Sequence, residues 1–553
     1  MTHHFLLIGP YDPHGGEYTF LAPPLGVWRL AGYLDLHGVR TTVFDPNICG
    51  GDVAVQFTRL LQSRTWDLVG VSTTAMTLRY DLQLAHLAKQ HSPRSVLVAG
   101  GMEATFNPDR MFELGPFDLV VLGEGEKPLA ALAQRLRFGT AGLDLAGIAG
   151  TAIKTDAGQI VRFHQTALTS EELREAVAAT PYERMPYPAY WNRLERAYQV
   201  GALPFKAERE ARLSEIRSVR LNTLNYCPMA CSFCSSTNFL HAAQNSVARV
   251  ARLESPACLH MIRRIMAAHP GTRTIIFQDD IFVFTQDKRV MELCAAIIAA
   301  KANGQIPANL EFISTNRIDS MTPERLAAMR QAGFRVLGFG IESFAPRVLE
   351  EFNKGQIHRH IEPALREARR QNITPFLDLI LTSPRSTLAD VALTVREAFR
   401  WIEGGCEVGI YPYVIPFTGS AFSRDPALQA QTVYETVTVP GTFVSWRHAA
   451  KILPADPEVR EAILAIEARF EHALESLAAA VPHLPSRVRS LLWIACAEPT
   501  LRAAGQHMPE PQLIQAALLA RLPGPARARK GWLENLLALA HTRAELCPLA
   551  QFA

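Results

Sequence analysis

The chain has 553 residues, of which 48% are hydrophobic and 20% charged, with a formal net charge of +3. At roughly 100–200 residues per domain, this length predicts about three or four domains, each able to bury its own core. No apolar stretch approaches the roughly 18 residues of a membrane span, and the first residues lack the basic flank and cleavage site of a signal peptide, so neither a transmembrane segment nor secretion is expected. The small net charge, with no long Lys/Arg stripe, argues against nucleic acid as the main partner. The locally basic stretch 521–530 reads as a solvated loop. A cytoplasmic location follows, in which the nine cysteines are reduced and a close cluster of them points to metal or redox chemistry before disulfides. Three of the nine fall within eight residues.

The first 135 or so residues alternate β-rich runs (FLLIG, TTVFD, LVGVS, SVLVAGG, DLVVLGEGE) with helical patterns. Apolar strands separated by crossover helices imply a parallel, doubly wound sheet that binds ligands at the carboxyl ends of its strands. A connector over 141–215 follows, whose Pro181, Tyr182, Pro186, Tyr187, Pro188, Tyr190 and Trp191 read as extended and poor in helix period. From Ile216 about six strand–helix units succeed one another (SVRLNTL, TIIFQDD, LEFISTN, VLGFGIE, FLDLILT, GIYPYVI), enough for a partial or complete barrel with its active face at the strand carboxyl ends. The remainder reads as helices, over 457–480, 487–496, 511–520 and 532–545. The expected fold is therefore α/β: a doubly wound, Rossmann-like domain over 1–140, the connector, a (βα)6 TIM-like barrel over 216–445 and a helical region over 446–553 that could cap the cavity.

Asn225-Tyr-Cys227-Pro-Met-Ala-Cys231-Ser-Phe233-Cys234 places three thiols at spacing Cys-x3-Cys-x2-Cys directly after a strand. Soft thiolates at this density suit an iron–sulfur cluster or zinc. A structural zinc takes four ligands, usually as two close pairs, and the next cysteine, Cys258, lies beyond an intervening helical segment. Spacing thus favours a cluster with one open metal position over zinc, and either over unrelated core thiols.

This motif, with Phe233 before the last cysteine, resembles that of the radical S-adenosylmethionine (SAM) enzymes. The resemblance implies that Cys227, Cys231 and Cys234 hold a 4Fe-4S cluster whose fourth iron is chelated by SAM, and that an electron from the cluster cleaves SAM to a 5′-deoxyadenosyl radical. It continues along the barrel. Gln278, Asp279 and Asp280 match the position that binds the SAM amino group, and Ser314 and Arg317 could meet its carboxylate. Gly340, Glu342 and Ser343, followed by Lys354-Gly355, match the ribose-contacting segment, and Tyr411 and Tyr413 fall where adenine is bordered. Taken singly, the aspartates could cap the next helix, Glu342 could complement a helix dipole and the tyrosines could be packing. Their order after consecutive strands argues against coincidence. The segment 376–387 departs from the family pattern, with Thr382-Ser383-Pro384 in place of Gly-x-Pro.

The first domain resembles the cobalamin-binding domain that precedes many radical SAM barrels, on PPLGVWRLAGYL from Pro23, Phe44-Asp45, Ser72-Thr73-Thr74, Gly100-Gly101-Met-Glu103 and Gly123-Glu124-Gly125-Glu126. Glycines at strand ends allow close approach of a large ligand, and the hydroxyls suit its nucleotide tail. A fold whose cofactor site has decayed into a structural role is the alternative. Asp12-Pro-His14-Gly15-Gly16-Glu17 stands near the place of the family's Asp-x-His-x-x-Gly cobalt-ligand motif with the glycine one residue early, which makes His14 a candidate axial ligand; a surface loop explains it equally well. The combined resemblance implies radical methylation of a small-molecule or lipid-like substrate, one SAM supplying methyl by way of cobalamin and a second the radical, with electrons from a reductant protein such as flavodoxin or ferredoxin. Alternatives are a cobalamin-independent rearrangement, oxidation or cyclisation and, outside enzymes, an iron–sulfur or cobalamin sensor.

Overall fold

In the computed structural model the described residues are 3–15, 21–136, 144–203, 206–244, 248–355, 358–478 and 486–522. The basic stretch over 523–530, the helix expected over 532–545, Cys547, Gly16 and Glu17 lie outside them. Seven strands form the first sheet: β1 (His4–Ile8), β2 (Arg40–Phe44), β3 (Leu68–Thr73), β4 (Val96–Gly101), β5 (Leu119–Val121), β6 (Thr151–Lys154) and β7 (Ile160–Phe163). They lie in the order β2-β1-β3-β4-β5-β6-β7. The first five are parallel and the last two join antiparallel. The chain reverses its winding between β1 and β3, and the crevice outside the strand carboxyl ends at such a switch point is where these sheets take ligands. Separate apolar clusters cover the two faces, one around Phe57, Trp66 and Leu82, the other around Phe5, Leu34 and Leu132, which accounts for the nearly unbroken apolar runs of these strands.

The second sheet contains β8 (Ser218–Leu221), β9 (Thr274–Phe277), β10 (Glu311–Asn316), β11 (Phe334–Glu342), β12 (Thr374–Ile380) and β13 (Glu407–Tyr411), all parallel and adjacent in chain order. It is the six-stranded partial barrel expected. Its core includes a stack of Phe277 on Phe282, ring centroids 4.3 Å apart, extended by Phe312 and Phe334. An open barrel leaves two unpaired edges, and each is covered differently. Along β8 the Tyr182 hydroxyl donates to the Arg220 carbonyl at 2.9 Å, the Tyr187 hydroxyl accepts from the Arg220 amide at 3.1 Å, and the Trp191 indole donates to the Ser218 carbonyl at 3.1 Å. Aromatic side chains thus stand in for a neighbouring strand. Along β13 the helix Ser486–Ala503 packs on the strand, with the Ser490 hydroxyl donating to the Val408 carbonyl at 2.5 Å and Arg487 paired with Glu407.

Three expectations are corrected. The connector is not extended: it contributes β6 and β7 and the helices Ser170–Ala179, Tyr187–Ala197 and Lys206–Ile216. Pro186 and Pro188 sit at the N-cap and first turn of the second of these helices, where a missing N–H costs nothing, so they start the helix rather than break it. The region after 445 is not purely helical. Strands β14 (Thr432–Thr438) and β15 (Ser445–Ile452) form an antiparallel hairpin across that boundary, and its tip places Val439 and Trp446 against the core of the first domain. The described C-terminal helices, finally, close the β13 edge, and none of their residues lines the cavity between the domains.

The connector also ties the two sheets together. The Asp45 carboxylate, after β2, accepts from the Tyr190 hydroxyl at 2.9 Å and from the Asn47 amide at 3.2 Å. Burial raises the Asp45 carboxyl to about 6 and these donors work against the rise. The Tyr190 hydroxyl favours the charged carboxylate, so its contribution is full above that value and shrinks as pH falls through it. Tyr190→Phe should lower stability by about 2 kcal/mol at pH 8, with the difference narrowing below pH 5; urea denaturation at both pH values measures it.

Candidate active site

The cysteine loop runs from the end of β8 to the helix Ser236–Gln244 and is tied down along its length. The Thr237 hydroxyl donates to the Cys227 carbonyl at 2.8 Å and accepts from the Ala230 amide at 3.0 Å. Ala230 has a φ of 51°, a left-handed conformation that reverses the chain between the first two thiols. The Asn353 amide donates to the Ala230 carbonyl at 2.9 Å, and the Ser232 amide to the Phe352 carbonyl at 2.9 Å. Cys227, Cys231 and Cys234 are half-buried free thiols. Burial pushes Cys227 up to about 12, helped by Asp280 and the other two sulfurs; Cys231 and Cys234 are raised for the same first reason. Lys354 and Arg317 oppose the rise at Cys231. Thiols with such values are inert as nucleophiles, while iron binding would deprotonate them. The adjoining cations suit an anionic thiolate-bound cluster, so the donor set fits the group. Among the described residues no three His, Cys, Asp or Glu side chains converge on a single-ion position, and thiolates that each ligate a different iron need not converge.

Behind the loop, Asp279 is buried. It accepts from the Thr223 amide at 2.6 Å, the Leu224 amide at 2.8 Å and the Thr223 hydroxyl at 2.6 Å. Burial raises its carboxyl to about 6 against these bonds. The fully buried Arg289 donates to the Thr223 hydroxyl at 3.0 Å and to the Phe282 carbonyl at 2.7 Å, extending the anchor. Asp279 therefore fixes the strand end from which the cysteine loop departs, instead of facing the SAM amino group as expected from sequence. Asp279→Ala should cost about 3 kcal/mol, since two buried amides lose their acceptor; urea denaturation and iron content of the reconstituted protein would register it. Asp280, exposed at the strand end, opens on the thiols, and the Ser236 hydroxyl favours its charged form.

Beside Cys231, Lys354 Nζ lies 2.8 Å from Glu342 Oε1, and both side chains are 9% exposed. Burial acts to lower the Lys354 pKa, but the Glu342 carboxylate and the Cys231 sulfur together outweigh it and the net shift is upward. Glu342 has a φ of 63° at a bulge of β11 against β12. A Cβ on Gly340 would come within 2.5 Å of Glu342 Oε1 and 2.9 Å of Lys354 Nζ, so a side chain there would push the ion pair from its present place over the strand.

A cavity of about 890 Å3 separates the two domains at the carboxyl ends of both sheets. From the barrel it is lined by Arg220, Asn222, Phe233, Cys234, Gln278 and Tyr411; from the first domain by Pro10, Asn47, Thr74–Met76, Met102, Glu103 and Phe106. Arg220 donates to Gln278, and among the described residues the buried Oδ1 of Asn222 has no hydrogen-bond partner. An orphaned acceptor beside the thiols fits the ammonium or a hydroxyl of a SAM-like ligand. Asp378 is an acid of the barrel wall that sequence reasoning missed, its carboxyl raised to about 7 by burial and by Glu342.

Strand parity moves other expected contacts elsewhere. Ser314 is buried behind the sheet and bonded to Asn316, whereas Thr315, the next residue, is exposed on the opposite face. Arg317 is held by Asp319 at 2.8 Å and by the Lys354 carbonyl at 2.8 Å. The Ser343 hydroxyl meets that of Thr394 at 3.0 Å, in the outer helix Leu388–Glu403. The chain turns at Pro412, and the Tyr413 hydroxyl donates to Glu467 at 2.5 Å in the C-terminal helices. The alternation Val219/Leu221 buried against Arg220/Asn222 was a readable signal for two lining residues that motif matching passed over.

In the first domain Thr74 and Glu103 line the cavity, while the other expected contacts build the wall behind it. The Thr73 hydroxyl donates to the Gly100 carbonyl at 2.9 Å and accepts from the Ala104 amide at 3.1 Å; Ser72 pairs with Gly100, and Thr73 with Gly101, where the two strands end. Gly123 abuts Ala243 of the barrel, where a Cβ would come within 2.6 Å. Glu124 accepts from the Leu168 amide at 2.7 Å, Gly125 packs beside Leu30, and the buried Glu126 pairs with Arg29 at 2.6 Å. His14 is exposed, its Nε2 3.0 Å from the Tyr80 hydroxyl, and it is not among the lining residues.

The chain matches the B12 binding domain over residues 13–133 and the radical SAM superfamily over residues 221–398. An uncharacterized methyltransferase of Pyrococcus horikoshii is 26% identical over 68% of this chain and 73% of that one. The anaerobic magnesium-protoporphyrin IX monomethyl ester cyclase of Rubrivivax gelatinosus is 23% identical over 72% of this chain and 65% of the cyclase. Among solved structures, the radical SAM methyltransferase TsrM from Kitasatospora setae, with cobalamin and a [4Fe-4S] cluster bound, superposes with a TM-score of 0.62 at 17% identity, covering 98% of this chain and 99% of that one. The cobalamin-dependent radical enzyme OxsB gives 0.65 at 13% identity, covering 97% and 80%. At these identities the two structures speak for the fold alone.

Proposed function

We propose that this chain, a radical SAM enzyme with a cobalamin-binding domain, transfers a methyl group to a carbon of a small-molecule substrate held between its two domains. The observation that carries this reading is the shared cavity, in which Phe233 and Cys234 of the cysteine loop face Thr74–Met76 and Met102–Glu103 of the first sheet. The cofactors implied by the two families are a 4Fe-4S cluster, SAM and cobalamin; when bound they supply a 5′-deoxyadenosyl radical and a methyl carrier. The protein's part is positional. Cys227, Cys231 and Cys234 would hold the iron, Lys354 and Glu342 set the charge beside it, and Asn222 and Gln278 offer polar atoms to SAM. Met76, Met102 and Phe106 give the opposite wall an apolar surface that excludes water from the reacting space. Hydrogen abstraction from carbon needs no general base. A reductant protein such as flavodoxin or ferredoxin would supply the electrons.

The methyltransferase relative at 26% identity supports the reading. The cyclase at 23% favours a second one, ring closure with the same domains. Anaerobic incubation of the reconstituted enzyme with methyl-deuterated SAM and a small-molecule extract of its own cells separates them. Methyl transfer gives 5′-deoxyadenosine together with a product that has gained CD3; 5′-deoxyadenosine with an unlabelled product would overturn it in favour of ring closure.

A further inference from the structure

A second chamber of about 540 Å3 adjoins the main cavity, walled by the loop after β3, the helices Met102–Phe106 and Pro108–Leu114, the helix Ser236–Gln244, the segment 415–424 and the hairpin β14–β15. The two spaces share Ala75, Met76, Phe106, Phe417 and Thr418, so a mostly apolar neck joins them. Their charge differs. Arg110, Arg424 and Arg447 line the chamber with His241 and His448, and among the described residues no carboxylate does. Glu103, in the main cavity wall, holds Arg110 at 3.2 Å. The Arg447 guanidinium lies over the ring of Tyr434, 4.5 Å from its centroid, which fixes its plane. Arg424 and Arg447 are exposed at the chamber's mouth, and the Nε2 of His241 is buried in its wall with no hydrogen-bond partner among the described residues.

Arg110 is already paired with Glu103, but the Arg424 and Arg447 guanidinium groups face the same space and repel one another, and an oxyanion between them relieves that repulsion while matching the planar N–H fork. We propose that this chamber receives a carboxylate or phosphate carried by the substrate, with an apolar segment of the same molecule passing through the neck toward the thiols. The inference rests on the reading of the main cavity as the reaction site and adds the substrate class: an amphipathic anion.

The test uses the holoenzyme, loaded with cluster and cobalamin, at low ionic strength, where exposed charges are least screened. Octanoate, octyl phosphate and octanol are titrated calorimetrically into wild type and into an R424Q/R447Q variant. Both substitutions fall at exposed positions, and retained cobalamin absorbance reports the variant's integrity. Both anions should bind wild type and lose at least about tenfold in affinity in the variant, as expected for removal of charge-assisted bonds, with octanol indifferent to the change. Equal anion affinity in the two proteins, octanol binding as tightly as octanoate, or no saturable anion binding would overturn the proposal. So would a variant that binds cobalamin weakly but cobinamide normally, since cobinamide lacks the nucleotide phosphate and the chamber would then belong to the cofactor's tail. A failed methyl-transfer assay leaves these affinities untouched, so the two readings fail separately.

Discussion

Alanine at any one of Cys227, Cys231 or Cys234 should abolish 5′-deoxyadenosine formation, a fall of about a thousandfold or more, because two thiolates do not retain a catalytic cluster. The loop around each sulfur is anchored by backbone groups and by Thr237, Asn353 and Phe352 rather than by the thiols. Folding should therefore survive the substitution, and the far-ultraviolet circular dichroism of the variants should match wild type while the iron–sulfur absorbance is lost. Alanine at Cys258, Cys294, Cys406 or Cys496, all buried in the packing of the barrel and C-terminal helices, should leave the iron content intact and lower stability through packing alone. Turnover surviving at any of the three loop positions would refute the assignment of the site.

Lys354→Met is expected to have the largest effect on stability. The ion pair of Lys354 with Glu342 is almost wholly enclosed, and removing the cation leaves a carboxylate in a site that cannot solvate it, at a cost of about 3–5 kcal/mol. A double variant with Glu342→Gln should recover most of that loss, because two neutral groups of similar volume replace two charges. Urea midpoints of the two single variants and the double variant, measured without cofactors, give the coupling directly. A loss below about 1 kcal/mol in Lys354→Met would place the pair among solvent-screened surface contacts, contrary to its burial.

The strands of both sheets were legible because each is a short apolar run bounded by turn residues, and the cysteine loop because three thiols so close in sequence have few other uses. What failed was mostly a matter of parity and of tertiary partners. Ser314 and Thr315 both fit a motif that asks for a hydroxyl after the third barrel strand; only the neighbouring sheet residues decide which of them faces inward. Asp279 and Asp280 are equally acidic, yet the first is consumed by backbone amides of the preceding strand end, a contact 55 residues away in sequence. Gly123–Glu126 carries a pattern associated with cofactor binding, but these residues make the contacts to Ala243 and Leu168 that dock the first domain on its neighbours, and the ion pair with Arg29 inside it. The connector misled because Pro186 and Pro188 were read as breakers when they occupy the first turn of a helix whose aromatic face covers the edge of β8. The hairpin β14–β15 had a signal, the Pro440-Gly441 turn between Thr/Val-rich runs, which was masked by its exposed, polar strands.

The central claim is that the cysteine loop and the carboxyl ends of the first sheet present their cofactors to one cavity. Electron paramagnetic resonance of the loaded enzyme, reduced so that the iron–sulfur cluster and cob(II)alamin are both paramagnetic, tests it most directly. Two spins sharing that cavity should broaden and split each other's signals relative to samples holding either centre alone. A spectrum equal to the sum of the two separate ones would contradict the account.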